Sequence, residues 1–277
     1  MNIGLIVAAG RGYRLGGPIP KQYLLLAGQP ILRHTILALL GHPDIHAVQV
    51  VIHPDDQSLY ATATEGLRDC FKSRSGGRLG AIFCAPVLTY LSKLRSGARK
   101  SHPYDSPERL LKQSLNLRPV LFGGATRQES VRLGLEGLAD LGPANVLIHD
   151  AVRPFVAPET ISAVLAALAR SPCAIAGVAL ADTLKRCADG KVTGTVDRAN
   201  LYRAQTPQGF RYADILKAHR QVLLENTAGL ELTDDSMVAE HVGLAIEMVP
   251  GSEQNFKITT GQDLQRAEFL LKHGTAL

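Results

Sequence analysis

The chain has 277 residues, a formal net charge of +5 and 45% hydrophobic against 20% charged residues. That composition supports a sizeable core and excludes disorder of the whole chain, and no apolar run approaches the ~20 residues a membrane helix needs. With no basic stretch ahead of a signal-like apolar core, the expectation is a cytoplasmic protein that makes no use of a membrane. Cys70, Cys84, Cys173 and Cys187 form no CxxC pair, so neither a zinc knuckle nor a disulfide frame is expected. The modest positive excess suits phosphorylated small molecules as well as it suits nucleic acid.

Taken in order, the chain opens on Ile3 to Lys21, IGLIVAAGRGYRLGGPIPK. An apolar run that passes through two alanines into glycine reads as a buried strand followed by a loop whose backbone can approach a ligand. Arg11, Arg14 and Lys21 make that ligand an anion, and a nucleoside triphosphate at the carboxyl end of the first strand is the working reading. Pro30 to Leu40 predicts a buried helix that starts at proline and stops at Gly41. Ala47 to Ile52 predicts a second strand, and a weaker helix runs to about Leu67. Strand and helix in alternation predict a parallel sheet wrapped by helices.

The pattern breaks between about 68 and 118, where eleven Lys or Arg residues stand against Asp69, Asp105 and Glu108. This segment is read as a solvated basic insertion; it lacks the interleaved aromatic residues of a single-strand nucleic-acid binder. Regular structure resumes at Pro119 to Phe122, a strand that runs into Gly123-Gly124. Thr126-Arg-Gln-Glu129 is a capping box for a helix with Val131, Leu135 and Leu138 on one stripe. Asn145 to His149 is a further strand ending in Asp150-Ala-Val-Arg153-Pro154, followed by a helix over 158–169 and a strand from Cys173 to Leu180. Between 182 and 210, Asp189-Gly190 sits between polar and β-branched runs and predicts a hairpin. A two-stranded ribbon is marginal alone, so this β-arm predicts a contact between two copies of the chain, a homodimer. A helix over 211–225, a short helix from Thr233 to Glu240, a strand from Leu244 to Val249 and the segment NFKIT around Lys257 lead to a last helix capped by Thr260-Gly-Gln-Asp263. That helix turns Leu264, Ala267 and Leu271 inward. The reading is a single domain over 1–277.

Gly10-Arg-Gly12-Tyr13-Arg14-Leu15 begins like the dinucleotide fingerprint G-x-G-x-x-G, but its sixth position is leucine, and Pro18 and Pro20 stand where a helix should begin. No acidic residue ends a second strand about 20 residues on, and no G-x-x-x-x-G-K-[ST] loop is present. A nicotinamide dehydrogenase is therefore disfavoured, and what remains is a longer, proline-stiffened basic loop suited to a triphosphate.

AAGRGYRLGGPIPKQYLLLAGQPIL, GGATRQESV, HDAVRPF, the arm with TVDR and LYRAQTPQGF, and NFKIT stand in that order along the chain. Together they resemble the 2-C-methyl-D-erythritol 4-phosphate cytidylyltransferases of the non-mevalonate isoprenoid pathway. The resemblance implies a Rossmann-like, mostly parallel sheet with helices on both faces, of the nucleotide-diphospho-sugar transferase type. It implies CTP and a methylerythritol phosphate as substrates, with magnesium carried mainly by the triphosphate. The acceptor phosphate would attack the α-phosphorus of CTP and displace pyrophosphate, a step that needs positioning and charge stabilisation rather than a protein nucleophile.

By the same resemblance Arg14, Lys21 and Lys257 are the catalytic cations. Ala8, Ala9, Gly10, Gly12, Gly124, Arg127 and Ser130 would hold the nucleotide, and Asp150, Arg153, Thr183, Arg198 and Thr206 the acceptor, with Arg198 supplied by the partner copy. Ala125 departs from the acidic residue that members of the family can carry there, which leaves only its backbone for contact with the base. A cytidylyltransferase for another polyol phosphate, such as ribitol 5-phosphate, is the alternative that the arm residues would decide. Some relatives are fused to a second, cyclising enzyme; the chain contains no metal-binding D-x-H segment after the transferase, so it is either monofunctional or the transferase half of a longer protein.

Overall fold

The computed structural model describes residues 1–11, 17–67, 116–225 and 232–273. Gly12, Arg14 and all but the last residues of the basic insertion read over 68–118 lie outside the described residues.

A seven-stranded sheet forms the centre, in the order β11 (Ile246–Pro250), β7 (Cys173–Ala179), β10 (Tyr202–Arg211), β6 (Asn145–Asp150), β1 (Asn2–Ala8), β4 (Ala47–Ile52) and β5 (Leu121–Phe122). Neighbours run parallel except at β10, which is antiparallel to both β6 and β7. The predicted mostly parallel sheet is therefore observed. The β-arm is shorter than its predicted span: only β8 (Leu184–Ala188) and β9 (Lys191–Val196) form the separate hairpin, while residues 202–210 belong to a central strand. Buried Gln205, Thr206, Gln208 and Phe210 explain the difference, because a strand with that much interior surface cannot project into water. At the hairpin tip Asp189 and Gly190 both take positive φ, 49° and 75°, as the primed turn between twisted strands requires.

Residues in the strands alternate between two cores. Ile6, Val48, Val50, Ile52 and Leu147 face α1 (Ile31–Leu40) and α4 (Pro158–Ala167). Ile3, Leu5, Val51, Val146 and Ile148 face α3 (Arg127–Glu136), α5 (Tyr212–Leu224) and α6 (Asp235–His241). Period-two alternation thus places helices on both faces of one sheet. Leu32, Ile36 and Leu39 on α1 are fully buried, each contributing roughly 1.5–3 kcal/mol. The remaining helix of the first half, α2 (Gln57–Thr64), packs Tyr60 and Ala63 against the same side.

A third, smaller core joins the two ends of the described chain. The hairpin of β2 (Leu25–Leu26) and β3 (Gln29–Pro30), which the sequence reading missed, turns through Ala27 and Gly28 at positive φ. Leu26 and Ile31 pack there with Val152, Ile258 and Ala267 of the last helix, α7 (Gly261–His273). Leu270 is more buried on that helix than the predicted Leu264 and Leu271. The predicted cap is present: Thr260 Oγ1 accepts from the Asp263 amide at 3.2 Å, and Asp263 Oδ2 accepts from the Thr260 amide at 2.8 Å.

Candidate active site

Register brings the site together. Val7 lies opposite Asp150 and Ala8 opposite Ile52, while Phe122 pairs with Ile52. The loops leaving β1, β5 and β6 therefore emerge at one carboxyl edge of the sheet, where open α/β sheets bind ligands. There a cavity of about 390 Å³ is lined by Ala8, Ala9, Gly10, Lys21, Gly124, Arg127, Ser130, Asp150 and Lys257, among others.

Nine predicted site residues line this cavity. Besides the nine just named, Arg153 stands behind Asp150, donating from Nε to Asp150 Oδ2 at 3.1 Å and from Nη1 to the Asn255 carbonyl at 2.7 Å. Lys257 Nζ meets the same Asp150 oxygen at 3.0 Å. Burial would raise the Asp150 carboxyl, yet Lys257, Arg127 and Arg153 outweigh it and hold the group well below the usual carboxylate range. Asp150 is thus a fixed negative charge that organises cations, not a proton carrier near neutral pH.

The glycine pair after β5 is shaped by close approach. A Cβ on Gly123 would stand 2.5 Å from both Ala9 Cβ and Ser130 Oγ, so a side chain there would collide with the β1 loop. Ser130 is buried; its hydroxyl donates to the Thr126 carbonyl at 2.8 Å and accepts from the Gly124 amide at 3.1 Å. The capping box forms with one change: Thr126 Oγ1 accepts from the Glu129 amide, but Glu129 Oε2 reaches back to the Ala125 amide at 2.7 Å. The Ala125 backbone N–H, expected to remain available to a base, is therefore committed inside the loop.

Arg127 is anchored from outside the sequence motif. Its Nη2 meets Asp235 Oδ2 at 2.7 Å, and Asp235 is itself buried. Burial opposes ionisation of Asp235, but Arg127 and then His219 hold its pKa below the ordinary value. Gln208 sets this aspartate in place by accepting from the amides of Asp235 and Ser236 at 3.2 and 3.1 Å.

Arg11 lines the cavity mouth, but its guanidinium is tied to Asp55, to Asp56 at 3.2 Å and to the His53 ring at 2.8 Å. Its charge is thereby matched within the chain. Thr183 and Arg198 are exposed at the roots of the hairpin and do not line this cavity. Thr206 is buried behind Asp150, with its hydroxyl accepting from the Asp150 amide at 3.1 Å. Gly12 and Arg14 lie outside the described residues.

Gln22, His149, Asn255 and Asp235 were missed by sequence reasoning. Gln22 donates to the carbonyls of Ala8 and Gly10 at 2.7 and 3.0 Å and so holds the mouth of the first loop. Its place directly after Lys21 was the only local clue. His149 and Asn255 are fully buried polar residues, each with a partner from a distant segment.

Asp150 is the only carboxylate among the described residues lining the cavity, and among the described residues no three His, Cys, Asp or Glu side chains converge as a metal site. Among those residues, too, no helix is long and apolar enough to cross a membrane.

The family model for 2-C-methyl-D-erythritol 4-phosphate cytidylyltransferase, IspD, matches residues 3–68 and 101–273. A bifunctional enzyme IspD/IspF from Paramagnetospirillum magneticum is 49% identical over 97% of this chain and 56% of its own length. The chain spans about half the length of such bifunctional relatives. A 2-C-methyl-D-erythritol 4-phosphate cytidylyltransferase from Cereibacter sphaeroides is 39% identical over 96% of this chain and 95% of its own. Among solved structures, the IspD of Francisella tularensis superposes with a TM-score of 0.67 at 26% identity, covering 97% of this chain and 99% of that one. The 4-diphosphocytidyl-2C-methyl-D-erythritol synthase of Anaerococcus prevotii gives 0.68 at 25%, covering 98% of each. With the match running from the first strand through the last helix and taking in both cavity lysines, the chain belongs to the 2-C-methyl-D-erythritol 4-phosphate cytidylyltransferase family.

Proposed function

We propose that this chain joins CTP to 2-C-methyl-D-erythritol 4-phosphate, forming 4-diphosphocytidyl-2-C-methyl-D-erythritol and pyrophosphate. The observation that carries this reading is the convergence of Lys21, Lys257 and Arg127 with glycine backbone in one cavity at the sheet edge, in a chain of this family. An oxygen of the acceptor phosphate forms a bond to the α-phosphorus, the bond to the bridging oxygen breaks, and pyrophosphate leaves with the electron pair. The acceptor is already an anion at neutral pH, so the protein's work is to hold two phosphorylated reactants in line and to neutralise the charge that builds on them.

Lys21 and Lys257 supply that neutralisation, and Arg14 is expected to join them from the glycine loop. Asp150 keeps Lys257 and Arg153 oriented without exchanging a proton. The close backbone approach at Gly123 and Gly124 suits reading of cytosine by main-chain groups. Magnesium would be held through triphosphate oxygens and would add further charge neutralisation there; Asp150 already has its charge matched by Lys257 and Arg153. The exposed hairpin, with Val192 at 63% exposure, supports a homodimer in which Thr183 and the partner copy's Arg198 reach the acceptor. The setting we propose is the cytoplasm, with no membrane or nucleic-acid partner.

The test is pyrophosphate release over a matrix of nucleoside triphosphates and polyol phosphates, with and without magnesium. Turnover should require CTP, magnesium and the methylerythritol phosphate. Equal rates with ribitol 5-phosphate, or no preference for CTP, would overturn the assignment.

A further inference from the structure

Three buried polar residues and the partly buried Arg153 close a hydrogen-bonded circuit behind the cavity. His149 Nε2 lies 3.0 Å from the Arg153 carbonyl, and Thr206 Oγ1 lies 2.9 Å from His149 Nδ1. Asn255 Nδ2 donates to the Thr206 carbonyl at 2.7 Å, and Arg153 Nη1 returns to the Asn255 carbonyl at 2.7 Å. His149 and Asn255 are fully buried and Thr206 is 4% exposed.

A carbonyl oxygen only accepts, so Nε2 carries the imidazole proton toward Arg153. Burial pushes the ring's pKa down to about 4, despite the Arg153 carbonyl's support for the charged form, so near neutral pH Nδ1 is a bare acceptor. The Thr206 hydroxyl then donates to Nδ1 and has a lone pair free for the Asp150 amide, 3.1 Å away. Every proton in the circuit has one direction: the Thr206 hydroxyl gives its only proton to His149 and one lone pair to the Asp150 amide, and Thr206 is absent from the cavity lining.

The circuit spans the end of β6, the turn to Arg153, strand β10 and the segment leading to Lys257. Two of its members flank the ion pair of the cavity: His149 precedes Asp150, and Asn255 lies two residues before Lys257. We propose that His149 and Thr206 are positioning residues which hold Asp150, Arg153 and Lys257 in the geometry that receives the acceptor phosphate, and that Thr206 acts through this circuit rather than by touching the acceptor. The inference rests on the function proposed above.

Its test combines kinetics with a probe that needs no turnover. Thr206→Val keeps the side-chain shape and removes the hydroxyl, Thr206→Ser keeps the hydroxyl, and His149→Gln removes the Nδ1 acceptor. With the fold checked by circular dichroism, Thr206→Val should lower kcat/KM for the acceptor on the order of tenfold to a hundredfold, since small misplacements of reacting groups cost that much. KM for CTP should stay within about twofold on the same grounds of a local displacement. Thr206→Ser should recover most of the loss, and the double variant Thr206→Val with His149→Gln should be no worse than the weaker single variant.

Nitrogen-15 NMR of the unmodified protein, with the His149 signal assigned by its loss in His149→Gln, should show a protonated Nε2 and an unprotonated Nδ1 at pH 7. Additive losses in the double variant, a Thr206→Val enzyme as active as the parent, or a proton on Nδ1 would each overturn the proposal. A parent protein that releases no pyrophosphate with the methylerythritol phosphate would instead overturn the proposed function, and the His149 tautomer would still decide for or against the circuit.

Discussion

Replacing His149 by glutamine should alter how stability depends on pH, and the size of the change follows from burial. In the folded chain the imidazole is pushed down to about 4 from an ordinary value of 6.5, chiefly because its charged form would lose water. Between those values the unfolded chain binds a proton that the folded chain refuses, so acid favours unfolding there. The contribution is fully present above pH 6.5 and is lost as pH falls toward 4, at about 1.36 kcal/mol per pH unit. Roughly 2 kcal/mol is gone by pH 5 and roughly 3 kcal/mol across the whole interval.

Glutamine does not titrate, so its variant lacks this slope. At pH 7.5 the variant should be less stable by about 1–3 kcal/mol, the cost of leaving the Thr206 hydroxyl without its acceptor. By pH 5 the gap should shrink by about 2 kcal/mol. Urea denaturation at the two pH values and one protein concentration measures both numbers. Buried His34, also shifted downward by burial, titrates in parent and variant alike and cancels in the difference. The carboxylates Asp150 and Asp235, held below their ordinary value, are present in parent and variant alike and cancel in the same way. A gap that stays the same at pH 7.5 and pH 5 would mean that the folded chain protonates His149 as readily as the unfolded one, and the electrostatic account would be wrong.

Gly123→Ala should lower stability by about 1–3 kcal/mol and weaken CTP binding measured by calorimetry, because its Cβ must displace Ala9 or Ser130; unchanged binding would refute the close-approach reading. Asp235→Asn should cost about 1–3 kcal/mol, less than a fully buried ion pair because Arg127 retains 30% exposure, and should reduce CTP affinity about tenfold. Retention of both properties would show that Arg127 needs no anchor. Lys21→Ala should fold and lose on the order of a hundredfold to a thousandfold in turnover, as removal of one charge-stabilising contact does elsewhere. Mixing inactive Lys21→Ala and Arg198→Ala proteins should restore part of the activity if one copy serves the other's site, and no restoration would count against the shared site.

The parts of the molecule that were legible in the sequence are those whose physics is local. Alternating strands and helices, the capping boxes at Thr126 and Thr260, the primed turn at Asp189-Gly190 and the glycine pair before α3 each depend on residues within a few positions, and the chain order alone exposes them. Lys21 and Lys257 were found through ordered motifs, and the structure places both on one cavity. Strand β10 was not legible as a central strand, because its place between β6 and β7 depends on which neighbours it meets, and its buried glutamines resemble those of an exposed ribbon. Tertiary structure alone decided that Gln22 closes the first loop, that Asp235 anchors Arg127, and that His149, Thr206 and Asn255 complete one another. Each of these is a buried polar group with a partner outside its own strand, helix or turn. Sequence patterns reveal that such a group exists; only the fold determines which partner satisfies it.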